Sequence, residues 1–198
     1  MARLTLIHPD DATGDAAEVL AALPVKLNIF RMLAHAESCV LPQVRLGTAI
    51  LSSLDLGHRR RELLILLVAR IEGGAYEWRQ HVPIALGVGV PQSQIDAIEQ
   101  ANLAGEVYDH EVFDNEVFDD AERALLAFGK QVIEAVRVEE SVFTEVRRHF
   151  SEREIVEAIL VIGFYMTMAR LTEVTETDLD PASGMTVFDS LQPRDTSA

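Results

Sequence analysis

Glu62, Glu77 and His81 have the residue types and the spacing of a small acid–base site. An imidazole, with an ordinary pKa of about 6.5, both accepts and donates a proton near neutrality. Glu77 and His81 stand four apart, which on a helix puts them on one face, about one turn from each other. Glu62 lies on the preceding apolar segment, 81 − 62 = 19 positions before His81, with Gly73-Gly74 as the break between. A chain that turns back at those glycines brings Glu62 to the other two. There it would fix the tautomer of His81, or relay a proton to it. Glu77, in a partly apolar site, would have a raised pKa and serve as second acid or base. Tyr76 and Trp78 flank Glu77 and are read as lining the pocket.

Blander readings compete. A Glu-x-x-x-His pair is often a surface ion pair, and an acid near a helix start is favoured by the helix dipole alone. The same three side chains could also ligate a metal. Zinc helices usually offer two histidines, however, and no second one is near, so no metal and no cofactor is assigned.

The elements that must position these residues read as helices. Arg59 to Ile71 is apolar all round at its centre, LLILLVA, and should be central in the fold. Ala75 to Leu86 follows, with Pro83 inside it and Gly87 and Gly89 at its end. Before them come Asp15 to Leu23, a short apolar piece Leu27 to Ala34, and Cys39 to Leu54, whose start near Ser38 leaves Pro42 in the first turn. Leu4 to Leu6 is read as a short extended lead.

After them come Gln92 to Asn102, a helix opened by an Asp119 cap with Glu122 at its third position and running to about Val136, and Ser141 to Phe150, with the Ser141 hydroxyl as its cap. Ser151 with Glu154 opens a long helix to about Leu171. Between these groups, Glu106 to Asp120 is three tandem pentads, EVYDH, EVFDN and EVFDD. A five-residue period suits neither helix nor strand. The segment reads as an acidic loop whose aromatics, Tyr108, Phe113 and Phe118, tuck onto the body. Its role is a connector, a lid or an oligomer contact.

No stretch alternates apolar and polar residues over a strand's length, so the fold class is all-α, one domain over 1–198. Its core spans about 24–171, and 180–198 reads as an arm or disordered tail. Arg61-Glu62-Leu63 and Arg153-Glu154-Ile155 each begin a central apolar helix, at an offset of 154 − 62 = 92, which suggests two related halves. At that offset Glu77 and His81 fall on Ala169 and Glu173, so the chemistry belongs to the first half.

The net charge of −15 argues against nucleic acid and against an anionic membrane surface. The apolar stretch Ala158 to Ala169 is shorter than the roughly 20 residues of a spanning helix. Cys39 is the single cysteine, so neither an intrachain disulfide nor a dithiol cycle is available. The N-terminus lacks the apolar region of a signal peptide, and a soluble cytoplasmic protein is expected.

The run RELLILLVARIEGGAYEWRQHVPIALGVGVPQSQIDAI resembles the core of the carboxymuconolactone decarboxylase family, which has the AhpD-like all-helical fold. Leu27 to His35, Phe150 to Glu157 and Val161 to Tyr165 extend the resemblance over roughly Pro24 to Leu171. Tyr-Glu-Trp-x-x-His is its most specific piece. The peroxidase-like branch of that family uses Cys-x-x-Cys-x-x-x-His with an upstream glutamate. Counted back from His81, its cysteines fall on Gly74 and Glu77, and its glutamate on Glu62. The relay is present without its redox pair.

The resemblance implies a cofactor-free decarboxylase or related lyase or isomerase acting on a small carboxylated lactone or similar acid. It also implies assembly into homo-trimers or hexamers, with a pocket near the subunit interface. Arg31, Arg59, Arg60, Arg79 and Arg170 are candidates to guide such an anion. The alternatives are a peroxidase-related protein acting on hydroperoxides, through Cys39 if at all, and a non-catalytic helical oligomer that binds a small ligand.

Overall fold

The structure is a computed structural model, and it describes residues 2–101, 113 and 116–191. Ten α-helices and no strand are found among the described residues. In chain order they are α1 (Gly14–Ala22), α2 (Asn28–Leu33), α3 (Glu37–Ser52), α4 (His58–Glu72), α5 (Ala75–Gly87), α6 (Gln92–Gln100), α7 (Asp120–Ala135), α8 (Glu140–His149), α9 (Glu152–Thr175) and α10 (Gly184–Leu191).

The apolar circumference of α4 decides the architecture. A helix without a polar stripe must be covered on every side. Leu63 to Val68 have no exposed surface, and α5, α7 and α9 pack around them. A smaller layer, in which α1 packs on α3, forms its own cluster around Val19, Leu20 and Val40.

The α4–α5 turn rests on Gly73, which has φ 72° and caps α4 in the left-handed conformation. The Gly74 N–H then donates to the Ala69 carbonyl. A side chain at Gly74 would meet both Glu77 and Ala169, so α5 and α9 approach closely there. At the sequence offset of 92, this turn would recur at Tyr165 and Met166. α9 runs unbroken through both, and the hairpin that carries the site occurs once.

Capping decides two helix starts as the sequence indicates. Asp119 with Glu122, and Ser151 with Glu154, form reciprocal capping boxes at the heads of α7 and α9. A third start differs. Glu139 is the N-cap residue of α8, and Ser141 already lies within its first turn. α9 also continues past Leu171 to Thr175. Its 24 residues are long and apolar enough to cross a membrane by length and composition, yet half of that window is buried inside the bundle. Leu4 to Leu6 forms no strand.

Of the two readings of the C-terminal segment, the described residues form a packed arm and not a tail. Residues 184–191 form α10, which packs on α5 and α3. Phe188 and Gly184 are buried, and Met185 lies against Gly87. A tail has no reason to fold unless something takes its apolar side chains, and α5 offers that surface. Of the acidic pentads, Phe113 and Phe118 are buried with ring centroids 5.9 Å apart, edge to face. Tyr108 and most of that segment lie outside the described residues.

Candidate active site

The hairpin brings α4 and α5 side by side, and Glu62 meets His81. His81 Nδ1 lies 2.8 Å from Glu62 Oε2. With the proton on Nδ1 donated to the carboxylate, the lone pair of Nε2 is the free face of the ring. Glu62 has no exposed surface, and its other oxygen belongs to Arg61: Nε donates to Oε1 at 2.8 Å. Arg61 Nη2 lies 2.7 Å from the same oxygen as an ion pair. Arg61 is itself buried; Nη1 donates to the Leu51 carbonyl at 2.6 Å and to His58 Nδ1 at 2.7 Å. His58 has a lowered pKa, first from burial and then from the Arg61 charge, which suits its acceptor role. The result is a buried line, His58–Arg61–Glu62–His81. Each carboxylate oxygen in it has a charged or hydrogen-bonding partner.

Glu77 takes a different position. It is 3% exposed, and burial pushes its pKa up to about 7, against the Thr172 hydroxyl, which favours the ionised form. Thr172 Oγ1 lies 3.2 and 3.3 Å from the two Glu77 oxygens, and 3.0 Å from the Ala169 carbonyl. A hydroxyl has one proton. When Glu77 is neutral, its own O–H donates to Thr172, whose proton goes to Ala169. When Glu77 is ionised, Thr172 turns its proton to the carboxylate. The site thus has one carboxylate tied to a guanidinium and one poised to gain or lose a proton near neutrality.

His81, Glu77, Tyr76 and Gln80 all line a cavity of about 520 Å³, between α1–α3 on one side and α5 and α9 on the other. Tyr165 closes the wall beside His81, its ring edge-on at 4.8 Å between centroids. α10 forms a further wall through Gly184, Val187 and Leu191. The segment leading into it is tied down by α5. Tyr76 donates its hydroxyl proton to the Asp180 carboxylate, and Gln80 Nε2 donates to the Pro181 carbonyl at 3.0 Å. Asp180 also accepts from the Asn28 backbone N–H, at the head of α2. Burial and the bond to Asp180 raise the pKa of Tyr76, so this hydroxyl is a fixed donor.

Tyr76 therefore stands at the cavity as expected, while Trp78 does not. Trp78 packs against the main core and takes no part in the cavity wall. The reason is angular: residues 76, 77, 80, 81 and 84 form the cavity face of α5, and position 78 points some 200° from 76. The arginines offered as anion guides are placed elsewhere. Arg31 is engaged by Ile7 and Asn28, Arg59 by Glu122, Arg60 by the Phe150 ring and Arg170 by Glu72. Arg79 is exposed, outside the cavity wall. Cys39 is exposed and is not one of its lining residues.

Sequence reasoning missed Arg61, Thr172, Tyr165 and the 180–191 strap. Arg61 adjoins Glu62, and the Met185, Phe188 and Leu191 spacing of GMTVFDSL is a helical signal. Nothing in the sequence points to Thr172 or Tyr165. Among the described residues, no three His, Cys, Asp or Glu side chains converge as metal ligands.

Comparison with known proteins agrees with this architecture. The model of the Carboxymuconolactone decarboxylase family matches residues 43–128, the segment that contains Glu62, Glu77 and His81. Among solved structures, an uncharacterized peroxidase-related protein with an alkylhydroperoxidase AhpD core, from Ralstonia eutropha JMP134, superposes with a TM-score of 0.74 at 17% identity, covering 93% of this chain and 95% of its own. An uncharacterized peroxidase-related protein from Silicibacter sp. TM1040 gives 0.71 at 17% identity, over 94% and 95% of the two chains. The debrominase Bmp8, in complex with 2,3,4-tribromopyrrole, gives 0.65 at 17% identity, over 96% and 100%. At these identities the likeness shows the AhpD-like helical fold. No curated protein matches the chain significantly.

Proposed function

We propose that this protein is a cofactor-free acid–base enzyme of lyase or isomerase type, acting on a small molecule held in the cavity. The observation that carries the reading is the His81–Glu62 contact, backed by Arg61 and facing a cavity wall that also holds Glu77. Glu62 accepts the Nδ1 proton and leaves Nε2 as the base. When Nε2 takes a proton from substrate carbon, the imidazolium formed lies against the buried Glu62 carboxylate. The electron pair left behind delocalises as an enolate or its equivalent. A neutral Glu77 supplies a hydrogen bond or a proton to it, and His81 returns the proton to carbon.

Decarboxylation of a small carboxylated lactone, the activity in the family's name, is the member of this class that the cavity wall supports least. There the C–C bond breaks, CO2 leaves, and the remaining electron pair is protonated at carbon by His81 or Glu77. Such a substrate brings an anion to a wall without lysine or arginine among its described residues, so chemistry on a less charged molecule asks less of the site. The debrominase neighbour, held with a small halogenated ring, supports an apolar occupant for a cavity of this fold. The thiol-peroxidase alternative finds no support from Cys39, which is exposed and not among the lining residues of the cavity.

The test is His81→Ala in a protein whose fold is checked by circular dichroism. Turnover of any accepted substrate should fall about 10²–10⁴-fold, the usual contribution of a positioned acid or base. Unchanged turnover would end the proposal. We further propose a homo-oligomer, trimer or hexamer, in the cytoplasm. The exposed apolar side chains Val156, Ile159, Leu160 and Val174 on α9 support an assembly surface, which light scattering would measure.

A further inference from the structure

The charge on the cavity wall selects its occupant more sharply than its volume does. At about 520 Å³ the cavity is of small-molecule size. Its walls are mainly apolar: Leu27, Ile29, Phe30, Val44, Leu51 and Phe164 are representative. The ionisable side chains on it are Glu18, Glu77, His81 and the hydroxyls of Tyr76 and Tyr165. Among the described residues, no lysine or arginine lines it. The guanidinium behind Glu62, that of Arg61, is 1% exposed and already engaged by Glu62, the Leu51 carbonyl and His58, with the Phe188 ring beneath it. An anion entering this space would shed its water and find no lysine or arginine among the described residues of the wall.

We infer that the cavity takes a neutral, predominantly apolar small molecule with one polar hydrogen-bonding group, and that it rejects carboxylates. The polar group lies toward His81 and Glu77, the acid–base pair on the α5 wall. The apolar body lies against α2, α3 and Phe164. The orientation rests on the proposed acid–base role of His81, whereas the charge preference rests on the wall alone.

Fluorine NMR titration separates the two. The probes are para-(trifluoromethyl)benzyl alcohol and para-(trifluoromethyl)benzoate, equal in shape and different in charge, at neutral pH. The alcohol should bind, and the benzoate should bind at least about tenfold more weakly, the difference expected from an uncompensated buried charge. Val44→Trp should fill the cavity and abolish binding of the alcohol. Val44→Lys should reverse the preference, and Thr48→Lys, one turn further along α3, repeats that test if the first variant folds poorly. Equal or tighter binding of benzoate by the parent protein overturns the inference. So does binding that Val44→Trp leaves untouched, or failure of both probes to bind. His81→Ala should keep the charge preference. If that variant loses turnover but keeps selectivity, both proposals stand. If the parent prefers benzoate while His81→Ala still loses turnover, only the charge inference falls.

Discussion

Replacing Glu77 by glutamine takes one ionisable group out of a buried position and leaves a side chain of the same shape beside Thr172. In the parent protein Glu77 has a native pKa of about 7, against an ordinary value of 4.5, with burial as the main cause. Below 4.5 the native and unfolded chains both hold the proton, and the group contributes no pH dependence. Between 4.5 and 7 the unfolded chain releases a proton that the native state retains, so stability falls as pH rises. Above 7 the loss is complete. The span is 7 − 4.5 = 2.5 pKa units, which corresponds to about 3 kcal/mol.

Glutamine removes this penalty. The variant should therefore be the more stable protein at alkaline pH, by at most about 3 kcal/mol, with the gap shrinking toward acid. Urea unfolding followed by far-ultraviolet circular dichroism, at about pH 5.5 and about pH 8, avoids the isoelectric region, and the gap should widen by about 2 kcal/mol between them. All other acids are common to both proteins and cancel in the difference. A gap that does not change with pH, or a variant weaker than the parent at the higher pH, would refute the claim that a buried carboxyl is being held neutral there.

The remaining predictions concern the supports of the site. Glu62→Gln leaves the Arg61 guanidinium buried without its counter-charge, and should cost about 3–5 kcal/mol in denaturant unfolding. An Arg61→Met, Glu62→Gln double variant should recover part of that loss, and additive losses would show that the two are not coupled. Gly73→Ala forces a side chain into the left-handed region at φ 72° and should cost about 1–2 kcal/mol, although open space surrounds the position. A loss below about 0.3 kcal/mol would mean that the turn does not depend on it. Asp180→Ala removes the acceptor of Tyr76 and of the Asn28 N–H. It should raise amide hydrogen exchange across 184–191 while leaving α4 protected, and unchanged exchange would show that α10 is held by its apolar contacts alone.

The helices were legible because their causes are local. α7 and α9 start where a side chain satisfies the first free N–H groups. α4 was recognisable as central because it has no polar face to give to water. The Gly73-Gly74 break and the four-residue spacing of Glu77 and His81 together foretold that α5 would return along α4 with its histidine facing back. What the sequence could not carry depends on which surfaces meet. Trp78 adjoins the site in the chain but turns to the core, because helical rotation separates neighbours. The 180–191 segment carries a short apolar spacing, but its place in the fold depends on the face that α5 offers it, with Tyr76 and Gln80 as ties. Thr172 reaches Glu77 from 95 residues away, and the raised pKa of Glu77 comes from burial that only the packed helices supply. Residue type and local spacing set which groups could exchange a proton. Desolvation and the absence of lysine and arginine from the described cavity wall arise from packing between distant segments, so only the folded chain could decide them.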